Sequence, residues 1–473
     1  MQVELQSVST FLHVPNLWPA AEVAKATGGT ASGVGGVDEQ SPPFTRVVVD
    51  SRHTEPGDLF IALPGDPGAR FNPSHRSQRD GHDFVAQALA AGARGAMLHK
   101  PIDLSHSLAQ DATPPEFITV DDTYDGLWDL AQFARTRLQG SICAVTGSNG
   151  KTTAKTFLQY ALNGYAPPGS FNNHIGVPLT LVNAPVDAKY CIFEIGTNHP
   201  GEIYPLASLV KPHFALLLNV HAAHIENFAS WEDLRKEKVS IFNSLESNSN
   251  AVSDAELNLD FGKHFGLNRD CDAYVIDLQG DLAEINVCGE ILKVRVPGGG
   301  IHRAKTLTAV ALVCKLMDAA LDRVQQLPVD LVPPGRGNRY TVSGVGVTDD
   351  SYNANPASMQ AALSAHLLTY SQQKRRCVAV VGEMLELGEQ SNQAHLALAE
   401  TLKQYDAVVC VGQATTQLAA QLGCEWYAQT DDSLITAVTQ ILSAGDEALI
   451  KGSNRVFWQN NFVAALCAKL DGA

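Results

Sequence analysis

No two cysteines in this 473-residue chain stand in a Cys-x-x-Cys arrangement. The nine that occur (143, 191, 271, 288, 314, 377, 410, 424 and 467) are scattered, several inside apolar runs such as ICAV, YCIFEIG and VVCVG. In such runs a thiol behaves as a small hydrophobe. That distribution argues against a disulfide framework or a structural zinc site and fits a reducing cytosol. Positive charge is also scarce: 34 Lys and Arg stand against 50 Asp and Glu, a net charge of −16. A chain this acidic is a poor general binder of nucleic acid or anionic membrane, so neither is expected as a partner. An anionic substrate has to be met by a local basic cluster. No apolar run reaches membrane-spanning length. The opening MQVELQSVSTFLHVPNLWPA has no basic start followed by an apolar stretch, so no secretory signal is expected. Together these absences point to a cytoplasmic protein, and with no coiled-coil pattern a monomer is the default.

What is present suits a soluble α/β protein. Hydrophobic residues make up 45% and charged residues 18%, enough for substantial cores, and the length suggests about three domains. From about residue 340 onward short apolar runs (CVAVVGEM, DAVVCVG, EALIKGS) alternate with helical segments (PASMQAALSAHLL, ATTQLAAQL, DSLITAVTQILSA). This alternation predicts a parallel, doubly wound sheet. In the middle, SICAVTG, YCIFEIG and HFALLLNV are near-continuous apolar runs, as buried parallel strands require. The N-terminal part carries shorter strands, RVVVD, LFIAL and GAML, around the helix HDFVAQALAAGA. The stretch 66–80, with Arg70, Arg76 and Arg79, reads as a solvated surface loop. Boundaries near 118 and 325 are expected, the second because QQLPVDLVPPGRG is rich in Pro and Gly. They give segments 1–118, 119–325 and 326–473.

A glycine is missing from one informative place. The stretch ICAVTGSNGKTTAKT (142–156) looks like a phosphate loop, yet Val145 stands where the common pattern has Gly, separated by four residues from Gly150-Lys151-Thr152. The surroundings are nonetheless right. An apolar strand ends at Thr146-Gly147, a small-residue turn follows through Ser148, Asn149 and Gly150, and a helix begins at Lys151, Thr152 and Thr153. Glycines let backbone N–H groups approach phosphate oxygens, and the helix N-terminus adds free donors and partial positive charge. Lys151 can reach terminal phosphates, and the Thr152 hydroxyl can ligate Mg²⁺. A plain strand–turn–helix connection is the alternative. Glu194 closes the strand YCIFE, where a carboxylate faces either a phosphate site or solvent. His224 follows FALLLNV; a lone His is more often structural than a ligand. Lys238 is, on its own, one more helical Lys.

Taken in order, TGSNGKTTAK, FNNHIGVPLTL, EIGTNHPGEI, HIENF, DDSYNANPASMQAAL, VVGEMLELG and IKGS resemble the Mur ligases. That family uses a phosphate loop of the form TG-x-x-GK-[TS], which accounts for the absent glycine. The resemblance covers nearly the whole chain and is sharpest at DDSYNANP, which points to the member adding D-alanyl-D-alanine. It implies a small N-terminal α/β UDP-binding domain, a central ATPase with a mainly parallel sheet, and a C-terminal Rossmann-like domain. It implies that ATP phosphorylates the terminal carboxylate of UDP-MurNAc-tripeptide and that the amine of D-Ala-D-Ala attacks the acyl phosphate. By the same resemblance Lys151 and Thr152 serve the phosphates and Mg²⁺, Glu194 and His224 hold two Mg²⁺ ions, and Lys238 is carbamylated, with Lys236 a neighbouring alternative. Asp350 holds the ATP ribose, Asn353 contacts substrate, and Arg336 or Arg339 reaches ATP phosphate. Asn172, Asn173 and His174 face the peptide or muramoyl part, and Asp50, Ser51 and Arg52 the UDP end.

One departure concerns the nucleobase. Relatives show G-R-H-N-x-x-N-A where this chain has GGIHRAKTLTA: His302 is kept as a nucleotide contact, but Arg303 and Thr306 replace the two asparagines. Arg cannot accept a hydrogen bond, so Arg303 stacks on the base, or base recognition is looser, or a backbone group takes over. A ligase of the same type acting on another carboxylate, such as a folylpolyglutamate-type enzyme, is the second reading. A catalytically silent nucleotide binder is the third.

Overall fold

The computed structural model describes residues 17–33, 42–68, 78–103, 114–221, 225–371 and 373–472. The strands form three sheets interleaved with helices, the α/β class expected. The chain divides into two compact units made of separated stretches: 1–144, 163–213 and 243–245 form the first, and 145–162, 214–242 and 246–473 the second.

In the first unit, β1 (Thr30–Gly33), β2 (Val47–Val48), β3 (Leu59–Ile61), β4 (Gly95–Leu98) and β5 (Glu116–Thr119) form a sheet in the order β1-β5-β4-β3-β2. Only β1 against β5 is antiparallel. The sequence reading anticipated β2, β3 and β4 but not β1 or β5, whose TASG and EFIT are short and carry little apolar signal. The edge strand β2 is finished by a side chain. Asn183 Nδ2 donates to Val47 O at 2.9 Å while its Oδ1 accepts from Val47 N at 2.9 Å. One carboxamide thus occupies both backbone groups that a further strand would have used. Trp18, fully buried, donates its indole N–H to Val182 O at 3.0 Å, fastening the helix Ala20–Thr27 to the end of the helix Gly176–Val182 that Asn183 follows. The helix Thr123–Arg137 starts on Asp122, whose Oδ1 accepts from Tyr124 N and Asp125 N. At its other end Arg135 donates to Val210 O and Lys211 O, capping the helix Ile203–Val210. β6 (Ser141–Thr146) and β7 (Tyr190–Glu194) are the buried apolar strands that the sequence predicts. Of the loop arginines, Arg79 is exposed, while Arg70 and Arg76 lie outside the described residues.

In the second unit, β8 (Phe214–Leu217), β9 (Ala251–Asp254), β10 (Lys263–Gly266) and β11 (Ala273–Gln279) run parallel in chain order. β12 (Leu282–Val287) and β13 (Glu290–Arg295) then extend the sheet as an antiparallel meander. Its strands alternate, with Ala283, Ile285, Val287, Leu292 and Val294 buried and the residues between them more exposed; β11 and β12 pack against the helix Ile301–Leu316, and β13 against the short helix Asp322–Gln325. The last sheet holds β14 (Asn338–Val342), β15 (Val345–Asp350), β16 (Cys377–Gly382), β17 (Ala407–Val411), β18 (Glu425–Tyr427) and β19 (Glu447–Lys451), ordered β14-β15-β19-β16-β17-β18. It is parallel except for the β14–β15 hairpin. The segment TVSGVGVTDD is therefore two strands turned at Ser343-Gly344. Apolar side chains pack on both faces, with Met359, Leu363 and Leu367 of the helix Pro356–Ser371 on one and Leu434, Val438, Phe462 and Leu466 on the other. β19 inserts between β15 and β16, which creates a crevice at the carboxyl ends of these strands, where ligands of such sheets bind.

Replacing Asn183 by Leu keeps the volume but leaves the Val47 N–H and C=O unpaired. We expect a loss of about 2–4 kcal/mol, read as a lower melting temperature; an unchanged melting curve would disprove the edge-sealing role.

Candidate active site

The phosphate-loop sequence folds into a turn between β6 and the helix Lys151–Leu162. Gly150 takes φ +79°, a left-handed conformation that lets the chain swing into the helix. The loop is held from behind by the segment after β8. Asn219 Oδ1 accepts from Asn149 N at 2.8 Å, and Asn219 Nδ2 donates to Asn149 O at 3.2 Å. Ser148 N donates to Asn219 O at 3.1 Å, and Ser148 Oγ accepts from His221 N at 2.9 Å. Lys151 Nζ lies over the turn, 2.7 Å from Gly147 O. Thr152 and Thr153 are buried in the first helical turn, and the buried hydroxyl of Thr146 has no hydrogen-bond partner.

A cavity of about 390 Å³ opens in front of this loop. Ser148 and Lys151 line one side, and Tyr352, Asn353, Leu385, Asn454 and Arg455 are among the residues on the other. Here the crevice of the C-terminal sheet meets the phosphate loop. Beside the lining residue Asn353, Asp350 Oδ2 accepts from Lys451 Nζ at 2.9 Å, and the same ammonium donates to Asn353 O at 3.0 Å. Asp350 and Lys451 are register neighbours on β15 and β19, so strand pairing sets their contact. The sequence reading missed Lys451, although the IKGS stretch contained it; a strand-end lysine has no signature of its own. Asn353 Oδ1 turns back to Ala354 N at 2.8 Å. Arg336 stacks on Tyr352, its guanidinium 3.7 Å from the ring centroid, whereas Arg339 lies 5.5 Å over Tyr370. Tyr352 lines the cavity, so Arg336 is the one adjoining it.

Lys238 and Lys236 are separated by their surroundings. Both lie on the helix Trp231–Val239, which starts on the Ser230 hydroxyl. Lys236 is exposed and 3.6 Å from Asp233, while Lys238 is 2% exposed. Burial first, and the nearby Lys151 charge second, push the Lys238 amine down to about 7. An amine so placed spends much of its time neutral. His224 lies outside the described residues.

Glu194, at the end of β7 in the first unit, is 1% exposed; its Oε1 accepts from Ser170 Oγ and Asn172 Nδ2, each at 2.8 Å. Asn172 is thus a partner of Glu194, and Asn173 Oδ1 accepts from Ile175 N and Gly176 N at the start of the helix Gly176–Val182. His174 O accepts from the Trp128 indole at 2.9 Å, and burial lowers the His174 imidazole pKa. Farther along, Arg52 grips Asp50 through Nε and Nη2, which holds the Asp50 carboxyl at about 2, and Ser51 Oγ donates to Gln87 at 3.0 Å.

The departure at Arg303 has a structural meaning. Its guanidinium donates to Gly298 O at 2.7 Å, Gly299 O at 3.2 Å and Arg336 O at 2.8 Å. The side chain therefore ties the start of the helix Ile301–Leu316 to the segment before β14. His302 beside it is half-buried, with Nδ1 enclosed and unpartnered; burial, and then Arg303, push its imidazole down to about 3, so it is neutral. A neutral imidazole keeps a ring nitrogen able to accept.

Comparison with known proteins agrees with this geometry. Residues 145–286 match the Mur ligase middle domain, and residues 335–454 the Mur ligase, glutamate ligase domain. The UDP-N-acetylmuramoyl-tripeptide–D-alanyl-D-alanine ligase of Escherichia coli (strain K12) is 32% identical over 435 residues, 86% of this chain and 90% of that protein. The crystal structure of MurF from Acinetobacter baumannii superposes with a TM-score of 0.76 at 28% identity, over 98% of this chain and 100% of that one. MurF ligase from Thermotoga maritima in complex with ADP gives 0.72 at 26% identity, over 90% and 98%.

If Arg303 is a clamp rather than a base contact, Arg303→Ala should lower stability by about 2–4 kcal/mol, as the loss of several charged-donor hydrogen bonds does. The preference for ATP over GTP should stay unchanged. A shifted base preference at full thermal stability would reverse the assignment.

Proposed function

This chain belongs to the Mur ligase family, and on that premise we propose that it joins D-alanyl-D-alanine to UDP-N-acetylmuramoyl-tripeptide while ATP is split to ADP and phosphate. The product, UDP-MurNAc-pentapeptide, is a precursor for peptidoglycan. The observation that carries the reading is the cavity in which Ser148 and Lys151 of the phosphate loop face Asn353, Asn454 and Arg455 of the C-terminal sheet. It brings an anion-binding turn opposite polar side chains able to hold a second reactant. The first unit, with Asp50, Ser51, Arg52, Asn172, Asn173 and His174, takes the UDP-peptide; segments 1–118, 119–325 and 326–473 serve the UDP end, ATP and the dipeptide. The enzyme works as a cytoplasmic monomer, and no helix among the described residues is long and apolar enough to cross a membrane.

A carboxylate is a poor electrophile because its leaving group is oxide. Its oxygen therefore attacks the γ-phosphorus and ADP departs, giving an acyl phosphate. The dipeptide amine adds to the acyl carbon, loses a proton, and the tetrahedral intermediate expels inorganic phosphate as the amide forms. Negative charge builds on the transferring phosphoryl oxygens. Lys151 and the N–H groups of Gly150 to Thr152 answer it from the loop. Asn219 keeps those donors in place before ATP arrives, so little reorganisation is needed in the transition state. Asp350 receives the ribose, Arg336 reaches a phosphate from the cavity wall, and the neutral His302 accepts from the nucleotide.

The residues suit Mg²⁺. Among the described residues no three His, Cys, Asp or Glu converge as a ready cage. Thr152, Glu194, His224 and Lys238 would hold two ions, which when bound supply charge neutralisation at the phosphates. An ammonium at Lys238 would repel them. A buried amine lowered to about 7 is neutral often enough to react with carbon dioxide, and the carbamate so formed is an anionic oxygen ligand.

Phosphate release with UDP-MurNAc-tripeptide should depend on D-Ala-D-Ala; dependence on glutamate instead would move the assignment to a folylpolyglutamate-type ligase. Lys238→Ala should lose about 10²-fold or more in kcat and regain nothing with bicarbonate. Full activity in that variant would remove the carbamate.

A further inference from the structure

We infer that Asn149 and Asn355 are a positioning pair that ties the phosphate loop to the C-terminal part of the second unit, and that nucleotide affinity depends on this tie. The inference rests on the nucleotide-binding reading above. Asn149 Nδ2 donates to Asn355 Oδ1 at 3.2 Å, and Asn355 Nδ2 donates to Asn149 Oδ1 at 2.5 Å. Two carboxamides placed head to tail satisfy a donor and an acceptor on each side. The residues lie 206 positions apart in the chain.

Each partner is fixed from behind, which makes the pair a strap rather than a surface contact. The Asn149 backbone is gripped at N–H and C=O by the Asn219 side chain. Asn355, 6% exposed, precedes Pro356 at the start of the helix Pro356–Ser371. Its Oδ1 accepts from Ser358 N at 2.9 Å, and its N–H donates to Ser358 Oγ at 3.0 Å, a reciprocal cap. Asn355 therefore does two things at once: it starts a long helix and reaches the loop. The turn Asp350–Asn355 carries the residues proposed to meet ribose and substrate. Joining it to the turn that holds the triphosphate sets the two halves of the nucleotide site in register. Loosening the tie lowers the fraction of molecules in the binding-competent arrangement, and apparent affinity falls by that fraction. A 149 side chain aimed at phosphate would not need Asn355; here both amide ends are used on the partner.

The test is a double-mutant cycle read by fluorescent mant-ADP binding in Mg²⁺ buffer to the full-length protein, alongside melting temperature. Asn149→Ala removes the loop half. Asn355→Ser keeps a good helix cap but is too short to reach the loop. Each single variant should bind mant-ADP about tenfold more weakly, as loss of two hydrogen bonds allows. The double variant should be no weaker than either, with melting temperatures within about 2 °C of the parent. Losses that multiply, or singles that bind as the parent does, overturn the pair while leaving the nucleotide site intact. A parent chain that fails to bind mant-ADP overturns both the pair and the reading it rests on. Should Asn355→Ser lower the melting temperature further, Asn355→Thr, which also caps the helix but is too short to reach the loop, takes its place in the cycle.

Discussion

The site depends on one carboxamide. Asn219 holds the N–H and C=O of Asn149 with its two ends, and so fixes the turn on which a triphosphate has to land. Backbone donors are useful to an anion only if they converge before it arrives, because reorganising a glycine-bearing turn during the reaction would consume the stabilisation it offers. Asn219 is positioned in turn by β8, whose apolar FALL run is buried beside β9. The chain of dependence thus runs from a hydrophobic strand, through one polar side chain at its end, to the loop. The C-terminal sheet supplies the opposing wall by a similar device, since the β15–β19 pairing alone brings Asp350 and Lys451 together.

Electrostatics in an acidic chain are handled locally. The overall charge of −16 would repel nucleotide and UDP-peptide alike. Against it, the cavity gathers Lys151 and Arg455 on its lining, Arg336 behind Tyr352, and the N-terminus of the helix Lys151–Leu162. Lys238 is the exception that carries information: an unneutralised ammonium at 2% exposure is disfavoured by its surroundings. The carbamate proposed above would replace that positive charge by a negative one, turning the repulsion from Lys151 into attraction.

Much of this was legible beforehand, for identifiable reasons. Buried parallel strands have to be apolar on both faces, so SICAVT, YCIFE and CVAVVG stood out. The strand–turn–helix order around Gly147 to Thr152 survived the loss of a consensus glycine because the physics needs the turn and not the letter. The meander β11–β12–β13 escaped because its signal has a period of two, with polar residues interrupting the continuous apolar runs that mark buried strands. β1, β5 and β18 escaped because three or four residues carry too little pattern; their pairing is decided by neighbours distant in sequence. Among site residues, Lys151 sits in a motif, but Asn219, Asn355 and Lys451 act through contacts that only folding brings about. Lys238 and Lys236 likewise differ in burial, which spacing along one helix does not reveal.

The Arg303 clamp restricts how this chain can drift over generations. Its three acceptors are main-chain carbonyls, so the side chains at those positions are irrelevant to the bonds. Space is the stricter demand: a Cβ on Gly337 would lie 2.2 Å from Arg303 Nη2, and one on Gly298 would lie 3.0 Å from Nη1. Both glycines also take positive φ, +71° at 298 and +98° at 337, so a side chain at either is strained even where residue 303 is shorter. Glycine should therefore stand at 298 and 337 in every lineage that keeps arginine at 303.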